Sequence, residues 1–160
     1  MLRKLWNHFE EYLLVYSLVF TVFLIFFQII MRYVFHSSLS WSEELARYVF
    51  LWQIWLGASY AVKQQRHLRI EAFKNMLPKK AQKYAEMATL LIWFGFSIFL
   101  AYKGSELVLI LVKRGQVSPA MRIPMAYAYA SVPVGCSLMA IRLIERMVEY
   151  TKLLRNRGVS

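Results

Sequence analysis

The chain has 160 residues, of which 59% are hydrophobic and 18% are charged. Soluble globular domains carry about 25% charged residues, so the composition excludes an ordinary soluble domain and indicates a membrane protein. The formal net charge is +11, but the basic residues lie between long uncharged runs and do not share one solvated face, as nucleic-acid binding requires. The length excludes a multidomain enzyme, and the one cysteine, Cys136, excludes an internal disulfide.

Four stretches contain no Asp, Glu, Lys or Arg: residues 12–31, 48–62, 87–102 and 123–141. About 20 helical residues cross a hydrocarbon core of about 30 Å, so the first and fourth stretches are long enough alone. Ser40 and Glu43 extend the second stretch backwards with the spacing of a capping box, and the third continues past Lys103 and Glu106.

These patterns predict an all-α integral membrane protein that forms a single membrane domain over residues 1–160. Its four transmembrane helices are expected at about residues 12–33, 41–62, 85–106 and 123–143. Two short amphipathic segments are expected to lie along the membrane surface, although the first equally fits an extension of the first helix. Their apolar faces are formed by Leu2, Leu5, Trp6 and Phe9, and by Ile70, Phe73 and Leu77.

The distribution of basic residues predicts the orientation. With four spans, the two termini and the second loop (residues 63–84) share one side and carry fourteen of the 20 Lys and Arg residues, against six opposite. Because basic residues accumulate on the cytoplasmic side, both termini are expected to be cytoplasmic. The basic second loop would then face anionic membrane lipid.

The central parts of the uncharged runs show no pattern for catalysis or ligand binding. Ionisable residues inside a membrane usually mark a transport or catalytic site, and these central parts have none. The histidines His8, His36 and His67 lie outside the spans, so haem ligation is not expected. The sequence therefore predicts a chain that is not an enzyme and has no metal or cofactor site of its own.

The polar and small residues at depth predict helix packing. Gln28 and Gln53 are expected to make hydrogen bonds between helices. Gly57 and Ala61 have the spacing that lets two helices approach closely, as do Ala126 and Ala130. Pro133, inside the fourth run, predicts a kink. Aromatic residues make up 16% of the chain, more than two interfacial belts require. Contact with lipid explains part of this surplus, and a face that packs against another membrane protein would explain the rest.

Three segments resemble a known family. They are SLSWSEELARYVF (residues 38–50), followed by a helix through Trp55 and Gly57, then KQQRHLRIEAF (residues 63–73), and RIPMAYAYASVPVG (residues 122–135). Together they resemble the small, DctQ-like membrane subunit of tripartite ATP-independent periplasmic (TRAP) transporters. The strongest element is Trp41, Glu43, Glu44 and Arg47, together with His67-Leu-Arg-Ile-Glu71.

The resemblance implies a three-part sodium-driven importer of organic acids in the bacterial inner membrane. A periplasmic binding protein captures the solute, and a large membrane subunit, expected as a separate polypeptide, carries the substrate and sodium sites. The small subunit braces the large one and helps to form the docking surface for the binding protein. The expected partner-interface or structural residues are Gln28, Arg32, Trp41, Glu43, Glu44, Arg47, Trp55, Gly57, His67, Arg69, Glu71, Pro124, Pro133 and Gly135.

Two other functions compete with this one. A small homo-oligomeric transporter would line its pore with Gln28, Gln53 and backbone groups. A membrane anchor or adaptor would dock a soluble partner on the basic second loop.

Overall fold

The computed structural model describes the backbone of residues 2–37, 39–64 and 79–157, and the side chains of residues 10–37, 39–64 and 84–152. Regular structure in these ranges is helical. The helices are α1 (Leu2–Tyr33), α2 (Ser40–Lys63), α3 (Lys79–Lys113), the single-turn α4 (Ala126–Tyr129) and α5 (Ser131–Arg157). An isolated β-bridge joins Val117 to Pro124 between α3 and α4. The predicted all-α class is confirmed.

Three stretches of helix are long and apolar enough to cross a membrane: Glu10–Tyr33, Tyr84–Lys113 and Ala126–Lys152. They agree with an integral membrane protein. Helix α2 has 24 residues but is not among these three stretches. The fourth span and the location of the termini therefore stay predictions.

Helix α1 runs without a break from Leu2 to Tyr33. The N-terminal amphipathic segment is thus an extension of the first helix and not a separate surface helix. Of the two alternatives that the sequence left open, the helix extension is the one observed. The second amphipathic segment, with Ile70, Phe73 and Leu77, lies outside the described residues. The same holds for three of the expected interface residues: His67, Arg69 and Glu71.

The described helices pack in the order α1, α2, α5, α3, because the extensive contacts are between α1 and α2, α2 and α5, and α5 and α3. A small buried core of Val62, Met139 and Leu143 lies where α2, α3 and α5 meet. Helices α1 and α3 are the two ends of this row. Each therefore leaves a broad apolar surface uncovered, including Phe23 on α1, which is 66% exposed, and Ile92 on α3, which is 71% exposed.

The connection between α3 and α4 is a compact loop, residues 114–125. Because of this loop, helix α4 starts later than the predicted fourth span. The Ser118 N–H donates to the Ile123 carbonyl at 2.8 Å, and the Met125 N–H donates to the Gln116 carbonyl at 3.0 Å. Two residues of this loop have positive φ, Gly115 and Arg122, where the chain reverses direction. Helix begins at Ala126 and not at 123 because residues 123–125 take part in these loop contacts.

The predicted interruption beside Pro133 is present. Ala130 separates α4 from α5, and Pro133 has no N–H with which to bond the Tyr129 carbonyl. The buried Ser131 hydroxyl donates to the Ala128 carbonyl at 2.7 Å, which satisfies one backbone acceptor at the break. Pro133 is tolerated because it lies in the first turn of α5, where backbone N–H groups lack intrahelical partners.

Candidate interface residues

Glu44 joins the start of α2 to the loop of residues 114–125. Its Oε2 atom accepts hydrogen bonds from the backbone N–H groups of Ala120 at 3.0 Å and Met121 at 2.9 Å. Its other oxygen, Oε1, accepts one from the Tyr48 hydroxyl at 3.3 Å. A carboxylate that accepts two backbone N–H groups 76 and 77 residues away holds the loop in one place. The first role of Glu44 is therefore to order this part of the chain.

These bonds set the charge state of Glu44, which precedes the apolar part of α2. Partial burial raises the pKa of the Glu44 carboxyl, but hydrogen bonds, among them those from Met121, Ala120 and Tyr48, lower the pKa by more. Hydrogen bonds that favour the ionised form lower a carboxyl pKa in this way. The net result is a pKa below the ordinary value, so that the carboxylate is the bound form.

Glu43 bonds to α1 and not within its own helix. Its Oε1 atom accepts a hydrogen bond of 2.6 Å from Nε2 of Gln28. The predicted capping box is wrong, because the residue that precedes α2 is Leu39, which makes no side-chain cap, and Ser40 is already helical. Among the described residues Glu43 also forms no ion pair with Arg47. The hydrogen bond to Gln28 on α1 takes the place of the expected local contact.

Two predicted interhelical hydrogen bonds join α1 to α2. Besides the Gln28–Glu43 bond, Nε2 of Gln53 donates to Oγ1 of Thr21 at 3.0 Å, and Thr21 is only 5% exposed. Each glutamine side chain therefore has a hydrogen-bond partner on the other helix, as the sequence predicted.

Trp41, Arg47 and Arg32 lie on the surface. Trp41 is 45% exposed, and both arginines are exposed. In the ranges whose side chains the structure describes, neither guanidinium makes a hydrogen bond or an ion pair. These three exposed side chains are available to a partner chain.

The close crossing of α2 and α5 depends on Gly135 and not on Gly57. A Cβ atom on Gly135 would lie 2.5 Å from Cβ of Trp55 and 2.9 Å from its carbonyl carbon, whereas a Cβ atom on Gly57 would meet nothing within 4 Å. The expected close approach at Gly57 is therefore wrong within this chain. Nearby, Nε1 of Trp52 donates to the Tyr127 carbonyl at 3.1 Å, which attaches α4 to α2.

Pro124 is placed by the loop rather than by a helix. It forms the β-bridge with Val117, and its carbonyl accepts a hydrogen bond of 3.2 Å from the N–H of Tyr127. Pro124 thus sets the start of α4, in the same loop that Glu44 binds.

The sequence analysis missed a charged cluster at the opposite end of α2. Glu10 on α1 pairs with Lys63 on α2, with Oε2 and Nζ 3.0 Å apart, and with Arg142 on α5. The Arg142 side chain is only 12% exposed, so this is a largely buried contact of three helices. The available signal was topological, since all three residues flank uncharged runs on the same predicted side.

A second ion pair that the sequence did not predict lies on α3, where Nζ of Lys103 and Oε2 of Glu106 are 2.8 Å apart. Between them lies Gly104, where an added Cβ atom would be 3.1 Å from Pro133 in α5. The Trp55–Gly135 crossing sets Pro133 level with Gln53, which bonds Thr21. Thr21 is at the middle of the uncharged run of α1, so the Lys103–Glu106 pair lies close to the level of that midpoint.

Comparison with known families supplies the deciding observation. The family model described as "Tripartite ATP-independent periplasmic transporters, DctQ component" matches residues 11–153, which is most of the chain. The chain belongs to this family. The resemblance based on Trp41, Glu43, Glu44 and Arg47 is thereby confirmed.

This TRAP small permease subunit is similar to the sialic acid TRAP transporter small permease protein SiaQ of Vibrio cholerae, with 30% identity over 159 residues, 96% of this chain and 88% of that protein. It is also similar to the isethionate TRAP transporter permease protein DctMQ of Oleidesulfovibrio alaskensis, with 26% identity over 152 residues. That match covers 91% of this chain but only 24% of the relative. A third match, the sialic acid TRAP transporter permease protein SiaT of Haemophilus influenzae, is 43% identical over 67 residues, 42% of this chain and 11% of that protein.

The TRAP small subunit thus matches one whole small permease protein and a minor part of two longer permease proteins. These relatives are named as transporter components and not as enzymes, which agrees with a non-catalytic role. The names refer to two different solutes, isethionate and sialic acid. Similarity to the small subunit therefore identifies the transporter class and not its solute.

Proposed function

We propose that this TRAP small permease subunit is the non-catalytic part of a sodium-coupled importer of organic acids. It braces a large membrane subunit, and that partner carries the substrate and sodium sites. The observation that carries the proposal is the family match over residues 11–153. The match to 24% of a longer permease protein supports it further, because it indicates that a chain of this kind functions alongside a larger membrane part.

The proposed arrangement has four spans in the inner membrane, with both termini in the cytoplasm. Helix α2 is paired with α1 from Gln28–Glu43 at one end to Glu10–Lys63 at the other. Because α1 is a candidate span, a helix attached along its length reaches the same depth. The uncharged residues 48–62 of α2 then cross the hydrocarbon, and its charged first turns lie among the head groups.

The packing order supports a bracing role. A row of helices buries less of its own apolar surface than a closed bundle does, and the spans on α1 and α3 have 11% and 17% of their residues buried. Large exposed apolar surfaces serve as contacts with lipid or with another membrane protein. The small subunit thus has the surface needed to pack beside a larger membrane subunit and to increase the width of the complex in the membrane.

The loop of residues 114–125 and the start of α2 form the proposed docking surface for the periplasmic binding protein. Glu44 holds the loop through Ala120 and Met121, while Trp41 and Arg47 stay exposed beside it. A prearranged surface loses less conformational entropy when it binds. A fixed loop with exposed basic and aromatic side chains is suited to repeated, reversible docking.

The test is uptake in liposomes that contain the small subunit, the large TRAP subunit of its source organism, or both. The binding protein is added outside with labelled sialic acid or isethionate and a sodium gradient. Uptake is expected only with both membrane subunits. Saturable, sodium-dependent uptake by the small subunit alone would reject the proposal, and so would full uptake by the large subunit without it.

A further inference from the structure

The ion pair Lys103–Glu106 is exposed on the outer side of α3. The side chains are 55% and 51% exposed, and Nζ of Lys103 also lies 5.6 Å from the ring centre of Tyr102. The neighbouring exposed residues of the same face are apolar or aromatic, with Phe99 at 56% and Tyr102 at 68%. A charged pair thus interrupts an otherwise apolar face.

The pair lies between two layers of polar contacts, one formed by Gln28 and Glu43 and the other by Glu10 and Lys63. It is level with Thr21, as shown by the contacts through Pro133 and Gln53. From Thr21 the Gln28–Glu43 contact is seven residues away along α1, about 10 Å, and the Glu10–Lys63 contact is eleven residues away, about 16 Å. The distance between these layers approaches the ~30 Å thickness of a hydrocarbon core. Lys103 and Glu106 are therefore at mid-depth.

Lipid is a poor neighbour for this pair. Charged side chains near a bilayer centre are costly, and they usually face a bundle interior or a protein partner. Lysine can snorkel toward the head groups, but the nearer polar boundary, marked by the Gln28–Glu43 contact, is about 10 Å away along the helix axis. Glu106 starts nearer to that boundary, but its side chain is shorter and is bonded to Lys103. Hydrocarbon alone does not satisfy this face.

The other end of the row gives the contrast. Helix α1 exposes Val19, Phe23 and Phe26 at the same depth, each 60% exposed or more, and its apolar run has no ionisable residue. That surface fits lipid. The two outer helices thus present different chemistry, and only α3 exposes charge at mid-depth among the residues whose side chains are described.

We propose that the face of α3 formed by Phe99, Tyr102, Lys103, Glu106 and Ile110 is covered by a membrane helix of the large TRAP subunit. That helix presents a polar or ionisable side chain to the Lys103–Glu106 pair. The inference rests on the proposed function, which supplies the partner, and it identifies the edge of the small subunit that the partner contacts.

The first experiment places a photo-crosslinking phenylalanine analogue at Tyr102 in the complex of both membrane subunits, with Phe23 as the matched exposed position on α1. Tyr102 is expected to form an adduct with the large subunit, and Phe23 an adduct with lipid. Since the ion pair is intact, this measurement does not depend on a charge variant inserting correctly. An adduct of Tyr102 with lipid only, or with a second copy of the small subunit, would overturn the proposal.

The second experiment exchanges the charges by combining Lys103→Glu with Glu106→Lys. If Lys103 and Glu106 interact only with each other, the exchanged residues still form an ion pair. If a partner side chain also contacts them, that side chain meets a charge of the opposite sign. The amount of large subunit that co-purifies is expected to fall roughly tenfold, since a buried polar group of the partner loses its bond. The matched control combines Arg146→Glu with Glu149→Arg, another pair of the same spacing, and is expected to keep wild-type co-purification.

Wild-type co-purification after the α3 exchange would refute the polar contact. Different results would contradict the proposed function and the assigned face of α3. If the wild-type small subunit does not co-purify with the large one at all, the proposed function is wrong. If it does, but Tyr102 does not reach the large subunit, only the assigned face is wrong.

Discussion

At the scale of single residues, Glu44 shows that a residue of a sequence motif can bind backbone groups far away in the chain. Its carboxylate binds the N–H groups of Ala120 and Met121, and Glu43, its neighbour in sequence, turns to Gln28 on another helix. Two adjacent acids that resemble a single feature in the sequence thus organise two different contacts. Each one therefore needs its own variant.

Replacing Glu44 with Ala is expected to release the loop of residues 114–125. Ala120 and Met121 would lose the acceptor that holds their N–H groups, so their amide hydrogens should exchange with solvent at least about tenfold faster. Hydrogen exchange followed by mass spectrometry measures this. Glu43→Ala is the matched control and should leave exchange in the loop unchanged. Equal protection in both variants would contradict the role assigned to Glu44.

Protection of the same loop is expected to depend on pH. Because the pKa of Glu44 is lower in the folded protein than its ordinary value, the ionised carboxylate stabilises the loop above the pKa of the unfolded chain. This contribution is lost as the pH falls through the lower, folded-state pKa. Exchange at Ala120 and Met121, corrected for the intrinsic pH effect, should rise on acidification in the wild type. In Glu44→Gln this dependence should be absent.

At the scale of helix pairs, the sequence identified interhelical contact more readily than the residues that set its distance. Gln28 and Gln53 were predictable because a buried amide in an apolar helix needs a partner. The close approach at Gly135 was not, because a small-residue spacing shows that an approach is possible and does not show which glycine faces a neighbour. The rotation of α2 places Gly57 away from α5 and Trp55 toward Gly135.

Gly135→Ala is therefore expected to destabilise the folded protein. The added Cβ atom would lie 2.5–2.9 Å from Trp55 atoms that include backbone, and overpacking of this kind costs about 1–3 kcal/mol. Gly57→Ala, where a Cβ atom meets nothing within 4 Å, should be neutral. Thermal unfolding of both variants in detergent measures the difference. A lower midpoint for Gly57→Ala than for Gly135→Ala would refute the crossing described here.

The three-helix charge cluster makes a further prediction. Glu10→Gln removes the carboxylate that faces Lys63 and Arg142 and leaves two basic groups together. The variant should lose roughly 2–3 kcal/mol of stability, near the low end for breaking a buried ion pair, because Glu10 and Lys63 keep 20% and 26% exposure. Glu11→Gln, whose carboxylate accepts one bond from Tyr60 at 3.3 Å, should change the unfolding midpoint little. Equal effects of the two changes would argue against the cluster.

At the scale of the whole molecule, the uncharged runs predicted where helices lie but not how deep each one sits. The run of residues 87–102 does not fix which part of α3 lies at the middle of the membrane, because a hydropathy pattern treats each helix by itself. Relative depth appears only when Gly104 is seen against Pro133 and Gln53 against Thr21. These contacts place the Lys103–Glu106 pair close to the level of Thr21.

The central claim is that this chain is one subunit of a larger membrane machine, and affinity purification from membranes that contain both TRAP membrane proteins tests it most directly. A tag on the small subunit should recover the large subunit in a fixed molar ratio through detergent extraction and size-exclusion chromatography. Recovery of the small subunit alone, as a monomer or as a homo-oligomer, would contradict the account.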